Sequence, residues 1–187
     1  MSDDRASVKY TYEDLQTFPE GDGKRYEIID GELLVSPSPM DKHQLVLSNI
    51  HGHIWTFLQE KAIGSVRFAP FDVVLSDVDV VEPDLLFLSS SRLDRLTRKN
   101  VQGAPDLVVE ILSESTRRTD EVRKRKLFER FDVLEYWIVD PELETVKVYR
   151  KTGDRFDRPI ELSSEAGDTL TTPLLSGFAV PLVKLFA

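Results

Sequence analysis

The sequence predicts an α/β sandwich around a central mixed sheet, and three observations predict it. Apolar residues recur at helical spacing in two separate segments, short apolar runs bounded by turn residues stand between and after them, and the order reads helix, strand, strand, strand, helix, strand. A chain of 187 residues can bury a substantial core, so residues 1–187 are read as one domain. Residues 1–20 form an N-terminal extension of it, and residues 150–187 a C-terminal extension packed on the core.

After the polar N-terminus, RYEIIDGELLV reads as a β-hairpin turning at Asp30-Gly31, a pair that tolerates the positive φ of a tight turn. The SPSPM loop follows, with Ser38 as N-cap and Pro39 as first helical residue. Leu47, Ile50, Ile54, Phe57 and Leu58 then repeat at helical spacing, predicting a helix over residues 40–62 that stops at Gly64. VRFAPFDVVLS and VVEPDLLFL read as successive strands, and a basic connection with a short helix leads to Gly103. PDLVVEIL is the third strand. Thr119 is placed as N-cap of a second helix running to Phe131, with Asp120 and Glu121 in its first turn. LEYWIVD and TVKVYR complete the strands, and the Gly- and Pro-rich tail keeps an apolar end that docks on the core.

Composition excludes several classes. No apolar run approaches the ~18 residues of a membrane span. The chain has no cysteine, hence no disulfide or thiolate metal site, and its first residues lack the layout of a secretory signal. A cytoplasmic protein is expected. Walker, dinucleotide and nucleophile-elbow motifs are missing, which removes nucleotide motors, dinucleotide oxidoreductases and α/β-hydrolases. Net charge is -9, too acidic for a general coat of nucleic acid. Two basic windows stand out against it: residues 117–130, with seven basic side chains against three acids, and residues 92–99, with four against one. A solvated face is the plain reading of either window alone.

The chemistry centres on Glu110, an ionisable group inside the apolar run Leu107, Val108, Val109, Ile111, Leu112. An isolated buried carboxylate is costly and calls for a raised pKa, a cationic partner or a metal. On a helical wheel Lys124 shares the apolar face of Leu127, Phe128 and Phe131, so it points inward and can reach Glu110. Such a pair is either core electrostatics or part of a metal site. In the second case Asp84, at the Pro-Asp step of the neighbouring strand, joins Glu110 to bind a hard cation such as Mg²⁺ or Mn²⁺. The similar step at Pro105-Asp106 is read as strand punctuation.

The set RYEIIDGEL, the SPSP loop before a helix bearing His43, EPDLLF, PDLVVEILSEST, the D-x-x-x-K run from Asp120 to Lys124, EYWIVDP and GDTLTTPLLSGF resembles the Uma-two family of restriction-endonuclease-like proteins, within the PD-(D/E)XK nuclease superfamily. The resemblance runs from about Tyr10 to Phe186. It implies a restriction-endonuclease-like core with an N-terminal hairpin extension, and a metal-dependent endonuclease in which Asp84 and Glu110 bind the metal and Lys124 completes the catalytic set. The superfamily lysine two residues after the glutamate is Leu112 here, and Lys124 fits members in which that lysine has moved to the next helix.

Glu32, and less so Glu27, are candidates to add a carboxylate, while His43 could bond a phosphate or a ligand carboxylate. Arg117, Arg118 and Arg123, together with the 92–99 connection, are the expected phosphate contacts. The expected function is hydrolysis of phosphodiester bonds, with DNA as partner and a homodimer cutting both strands. The rival is a catalytically inactive module of the same fold, serving dimerisation or regulation.

Overall fold

The computed structural model describes residues 9–19, 21–37 and 41–187. The expected cap at Ser38 and Pro39 lies outside the described residues. The chain begins with a single helical turn, α1 (Tyr12–Leu15), closed by a capping box between Thr11 and Asp14. Strands β1 (Lys24–Ile29) and β2 (Glu32–Pro37) pair antiparallel up to Ile29↔Glu32. Asp30 and Gly31 both adopt positive φ between them, as the predicted tight turn requires. Helix α2 (Asp41–Glu60) buries Leu47, Ile50, Ile54 and Leu58 of the stripe that the periodicity marked out, with Val46 beside them and Phe57 half-buried.

The next segments depart from the reading of two continuous strands. VRFAPFDVVLS splits into β3 (Gly64–Phe68) and β4 (Asp72–Ser76), and VVEPDLLFL into β5 (Asp79–Val81) and β6 (Leu85–Ser89). The physical reason is proline: Pro70 and Pro83 each lack the N–H that continues a ladder, so the chain changes sheet at both points. A 3₁₀ segment (Ser90–Arg95) and β7 (Asn100–Gln102) lead to β8 (Leu107–Ile111). A π-helical stretch (Thr119–Lys124) runs straight into α3 (Arg125–Arg130). Thr119 is therefore inside the helix and not its N-cap; helical bonding already begins with Arg117 N–H donating to Ser113 O and Asp120 N–H to Thr116 O. Strands β9 (Glu135–Asp140), β10 (Thr145–Thr152), β11 (Arg155–Phe156), β12 (Ile160–Ser163), β13 (Thr169–Thr171) and β14 (Ala179–Pro181) follow, then α4 (Val183–Phe186).

The central sheet has the order β11-β10-β9-β8-β6-β3, with β12 also on β10. It is mixed as predicted: β8 and β9 run parallel, while β6 is antiparallel to β8. The hairpin does not stand apart as an extension. It joins a second sheet in the order β2-β1-β5-β4-β7. Residues alternate across β8 and β9, so each face of the central sheet carries its own core. On one face Leu107, Val109, Ile111, Trp137 and Val139 pack under α2 and the C-terminal residues Leu182 and Leu185. On the other, Val108, Leu112, Tyr136 and Ile138 pack with Leu127 and Phe128 of α3 and Ile29 of the hairpin sheet. No helix among the described residues is long and apolar enough to cross a membrane.

Candidate active site

The Glu82-Pro83-Asp84 step is where the chain passes from the hairpin sheet to the central sheet. Leu85 pairs with Val109 at the start of the β6–β8 ladder, and continuing that register by one residue sets Asp84 opposite Glu110. Side chains opposite one another on antiparallel strands share a face at about 5 Å. Glu110 alternates with Val108 and Leu112, so it faces the helix that carries Lys124. Leu112, next on that face, is 4% exposed in the apolar cluster, and the ammonium beside Glu110 comes from the helix. Lys124, inward on the helical wheel, brings its Nζ to 2.9 Å from Glu110 Oε1.

Asp84, Glu110 and Lys124 line one cavity of about 810 Å³ with Glu27, His43, Asp120 and Arg25. Asp84 and Glu110 are each 1% exposed and Lys124 2%, so water screens their mutual interactions weakly. The Asp84 carboxylate is bonded at both oxygens. Arg25 Nη1 reaches Oδ1 at 2.9 Å, while His43 Nε2 and the Ile111 N–H reach Oδ2 at 3.0 and 2.8 Å. Burial opposes its ionisation, but the His43 bond, the Arg25 charge and the Ile111 N–H outweigh burial and pull the carboxyl down to about 2. Glu110 behaves oppositely. Burial pushes its carboxyl well above the usual range, the neighbouring carboxylates add to that, and the Lys124 charge only partly offsets them. Asp120 is raised to about 6, first by burial and then by Glu27 and Asp84. Burial also works against the Lys124 charge, yet Glu110, Glu27 and Asp120 together hold its pKa well above the ordinary value.

The other sequence candidates separate. Glu27 reaches the site, with Oε1 2.8 Å from Lys124 Nζ and accepting the Glu82 N–H at 2.8 Å. Glu32, the preferred extra acid, does not: it stands opposite Ile29 at the turn end of the hairpin, on the face that Glu27 shares but beyond the cavity, and its 67% exposed side chain pairs with Arg123 on the surface. Arg123 is occupied there and by Ile29 O, and so belongs to the hairpin contact and not to the cavity wall. Arg117 lines the cavity, paired with Asp140 at 2.8 Å, and Arg118 is exposed. In the other basic connection, Arg92 donates to the carbonyls of Ala104, Pro105 and Asp132 and pairs with Asp106, while Arg95 donates to Ala104 O. Both brace the turn through these bonds. Asp106 also accepts the Ser89 N–H at 2.7 Å, which makes its Pro-Asp step structural, as expected.

Arg25 is a cavity residue that the sequence did not bring forward, and Asp120, which entered as a first-turn acid and the start of the D-x-x-x-K run, is a further acid of the cavity. Arg25 lies two residues before Glu27 on β1, hence on the same strand face, and that alternation was the available signal. Asp120 lies four residues before Lys124 and 3.6 Å from its ammonium.

Among the described residues no group of three or more His, Asp or Glu side chains gathers as a ready metal cage. The donor set is a pair, Asp84 and Glu110, and hard carboxylate oxygens of this number suit Mg²⁺ or Mn²⁺, which fill their remaining positions with water. Charge agrees with that fit. In formal charge the cavity wall carries six acids (Glu27, Asp84, Glu110, Glu114, Asp120, Glu142) against four bases (Arg25, Lys42, Arg117, Lys124), and a bound cation would favour the ionised forms of Glu110 and Asp120, whose carboxyls are raised without it.

A crystal structure of a "putative nuclease belonging to DUF820" from Anabaena variabilis ATCC 29413 shares the fold, with a TM-score of 0.78 over 94% of this chain and 97% of that one, at 22% identity. No curated protein matches the chain. Residues 11–183 match the family Uma2, described as "putative restriction endonuclease", and this protein belongs to that family.

Proposed function

We propose that this protein is a Mg²⁺- or Mn²⁺-dependent endonuclease that hydrolyses phosphodiester bonds of DNA. One observation carries the reading: the β6–β8 ladder, continued one residue past Leu85↔Val109, sets Asp84 opposite Glu110, with the Lys124 ammonium on Glu110, at the buried floor of one cavity that opens to the surface. Asp84 and Glu110 would hold the cation, which when bound supplies charge for the phosphoryl oxygens and acidifies a water. Asp84 enters that role ionised, given its low pKa. Lys124 keeps its proton and offers a fixed positive charge where negative charge develops on the phosphate, and Glu110 and Glu27 fix its direction. Hydrolysis adds the water oxygen to phosphorus, breaks one P–O ester bond and delivers the water proton to the leaving oxygen. Lys42 and Arg117 at the cavity wall would meet the flanking phosphates, in exchange for their partly exposed pairs with Glu142 and Asp140.

Cutting both strands of a duplex calls for two sites, which a symmetric homodimer in the cytoplasm would provide. A second reading is favoured by a specific feature: Asp84 is already fully bonded by Arg25, His43 and Ile111, as in a module that keeps the fold for dimerisation or regulation. Incubation of the protein with single-stranded DNA, duplex DNA and RNA, each with Mg²⁺, Mn²⁺ or EDTA, separates the two. The nuclease reading expects DNA cleavage that EDTA abolishes. The second reading expects none under any condition.

A further inference from the structure

We propose that Arg25 is a positioning residue that aims the Asp84 carboxylate at the cation, by clamping the two acids on either side of Pro83. The inference rests on the nuclease reading and extends it to a residue outside the Asp-Glu-Lys set. Arg25 Nε lies 2.8 Å from Glu82 Oε1 and Nη1 lies 2.9 Å from Asp84 Oδ1. The guanidinium therefore spans the Glu82-Pro83-Asp84 step as a two-point bracket, a geometry that its rigid fork can make and an ammonium cannot.

The chain needs such a bracket at this point. β5 ends at Val81 and β6 begins at Leu85, so the acid sits in the gap between two ladders, on a segment that proline deprives of one donor. Two backbone bonds anchor it: Ala69 N–H to Asp84 O, and Glu82 N–H to the Glu27 side chain. β1 and β5 pair at Ile28↔Val80, three residues beyond Arg25, so the arginine reaches across where that pairing has ended. All three side chains are withdrawn from water, Arg25 at 17%, Glu82 at 19% and Asp84 at 2% exposure, which makes their directions specific. Removal of the clamp releases Oδ1, while His43 and the Ile111 N–H keep hold of Oδ2, so the acid stays in place and loses the bond that fixes its outer oxygen.

A double-mutant cycle on cation affinity tests this, read by electron paramagnetic resonance titration with Mn²⁺ alone and checked for folding by circular dichroism. Arg25→Ala and Arg25→Lys are both expected to weaken Mn²⁺ binding by roughly tenfold or more, the scale seen when groups that orient metal ligands are removed. Glu82→Gln, nearly isosteric and itself no ligand, is expected to weaken binding as well, and to add nothing in the Arg25→Ala background. Wild-type affinity in Arg25→Lys, or tighter binding in Arg25→Ala, would overturn the clamp, since either result means that Arg25 acts only as a charge. Independent effects of Arg25→Ala and Glu82→Gln would do the same. Undiminished Mn²⁺ binding by Asp84→Asn would instead remove the nuclease reading on which the inference stands.

Discussion

The Lys124 ammonium lies 2.9 Å from Glu110 Oε1 and 2.8 Å from Glu27 Oε1, and joins the central sheet to the hairpin sheet through one buried charge. Loss of one member of a buried ion pair typically costs about 3–5 kcal/mol, because the remaining charge is stranded. Lys124→Met is therefore expected to destabilise the metal-free protein toward the lower end of that range, since Glu110 can relieve part of the strain by taking a proton. Urea unfolding measures this; a loss under 1 kcal/mol would show that the lysine is not held by these acids.

The two hairpin glutamates should part company. Glu27→Ala strips Lys124 of a carboxylate and leaves the Glu82 N–H without its acceptor, so both stability and cleavage should fall. Glu32→Ala removes an exposed surface pair and should change stability by less than about 0.5 kcal/mol, with cleavage near that of the wild type. Equal effects of the two substitutions in paired unfolding and cleavage assays would contradict the placement.

Asp72 provides a pH handle away from the proposed ligands. Burial, aided by the Glu27 charge, raises its carboxyl to about 6, above the unfolded value of 3.8. A folded pKa above the unfolded one gives stability that is present below about pH 4 and is lost as pH rises through about 6. Asp72→Asn should accordingly be more stable than the wild type at pH 8, and the gap should close as pH falls toward 4. A gap independent of pH in urea unfolding would mean that Asp72 does not titrate as placed.

Arg117 and Arg92 predict opposite phenotypes from the same substitution. Arg117→Ala should weaken DNA binding and lower the slope of binding against salt by about one unit, as expected for loss of one phosphate contact. Arg92→Ala should leave that slope unchanged and reduce thermal stability, because its guanidinium braces three backbone carbonyls and Asp106. Fluorescence anisotropy at several salt concentrations, beside thermal melts, distinguishes them.

What could be read in the sequence follows periodicity. The helical wheel placed Lys124 inward and the apolar run around Glu110 fixed its depth, because both depend on spacing within one element. The splitting of VRFAPFDVVLS and VVEPDLLFL was less legible, although Pro70 and Pro83 carried the signal, since a strand interrupted by proline looks continuous until its two halves are seen in different sheets. Arg25 escaped for a different reason. Its role depends on the hairpin becoming part of a second sheet that closes over the cavity, and nothing local in RYEIIDGEL says which face will be covered. Glu32 ranks above Glu27 on sequence, and it is its place at the turn end, opposite Ile29, that puts it beyond the cavity.

The most direct test of the central claim is a supercoiled-plasmid assay with Mg²⁺ or Mn²⁺, run in parallel on the wild-type protein, Asp84→Ala and Lys124→Ala. The site described above predicts conversion to nicked or linear DNA by the wild type, and loss of at least about a hundredfold in rate in each variant, as when a charge-stabilising group is removed from a catalytic site. The same background rate from all three proteins would contradict it.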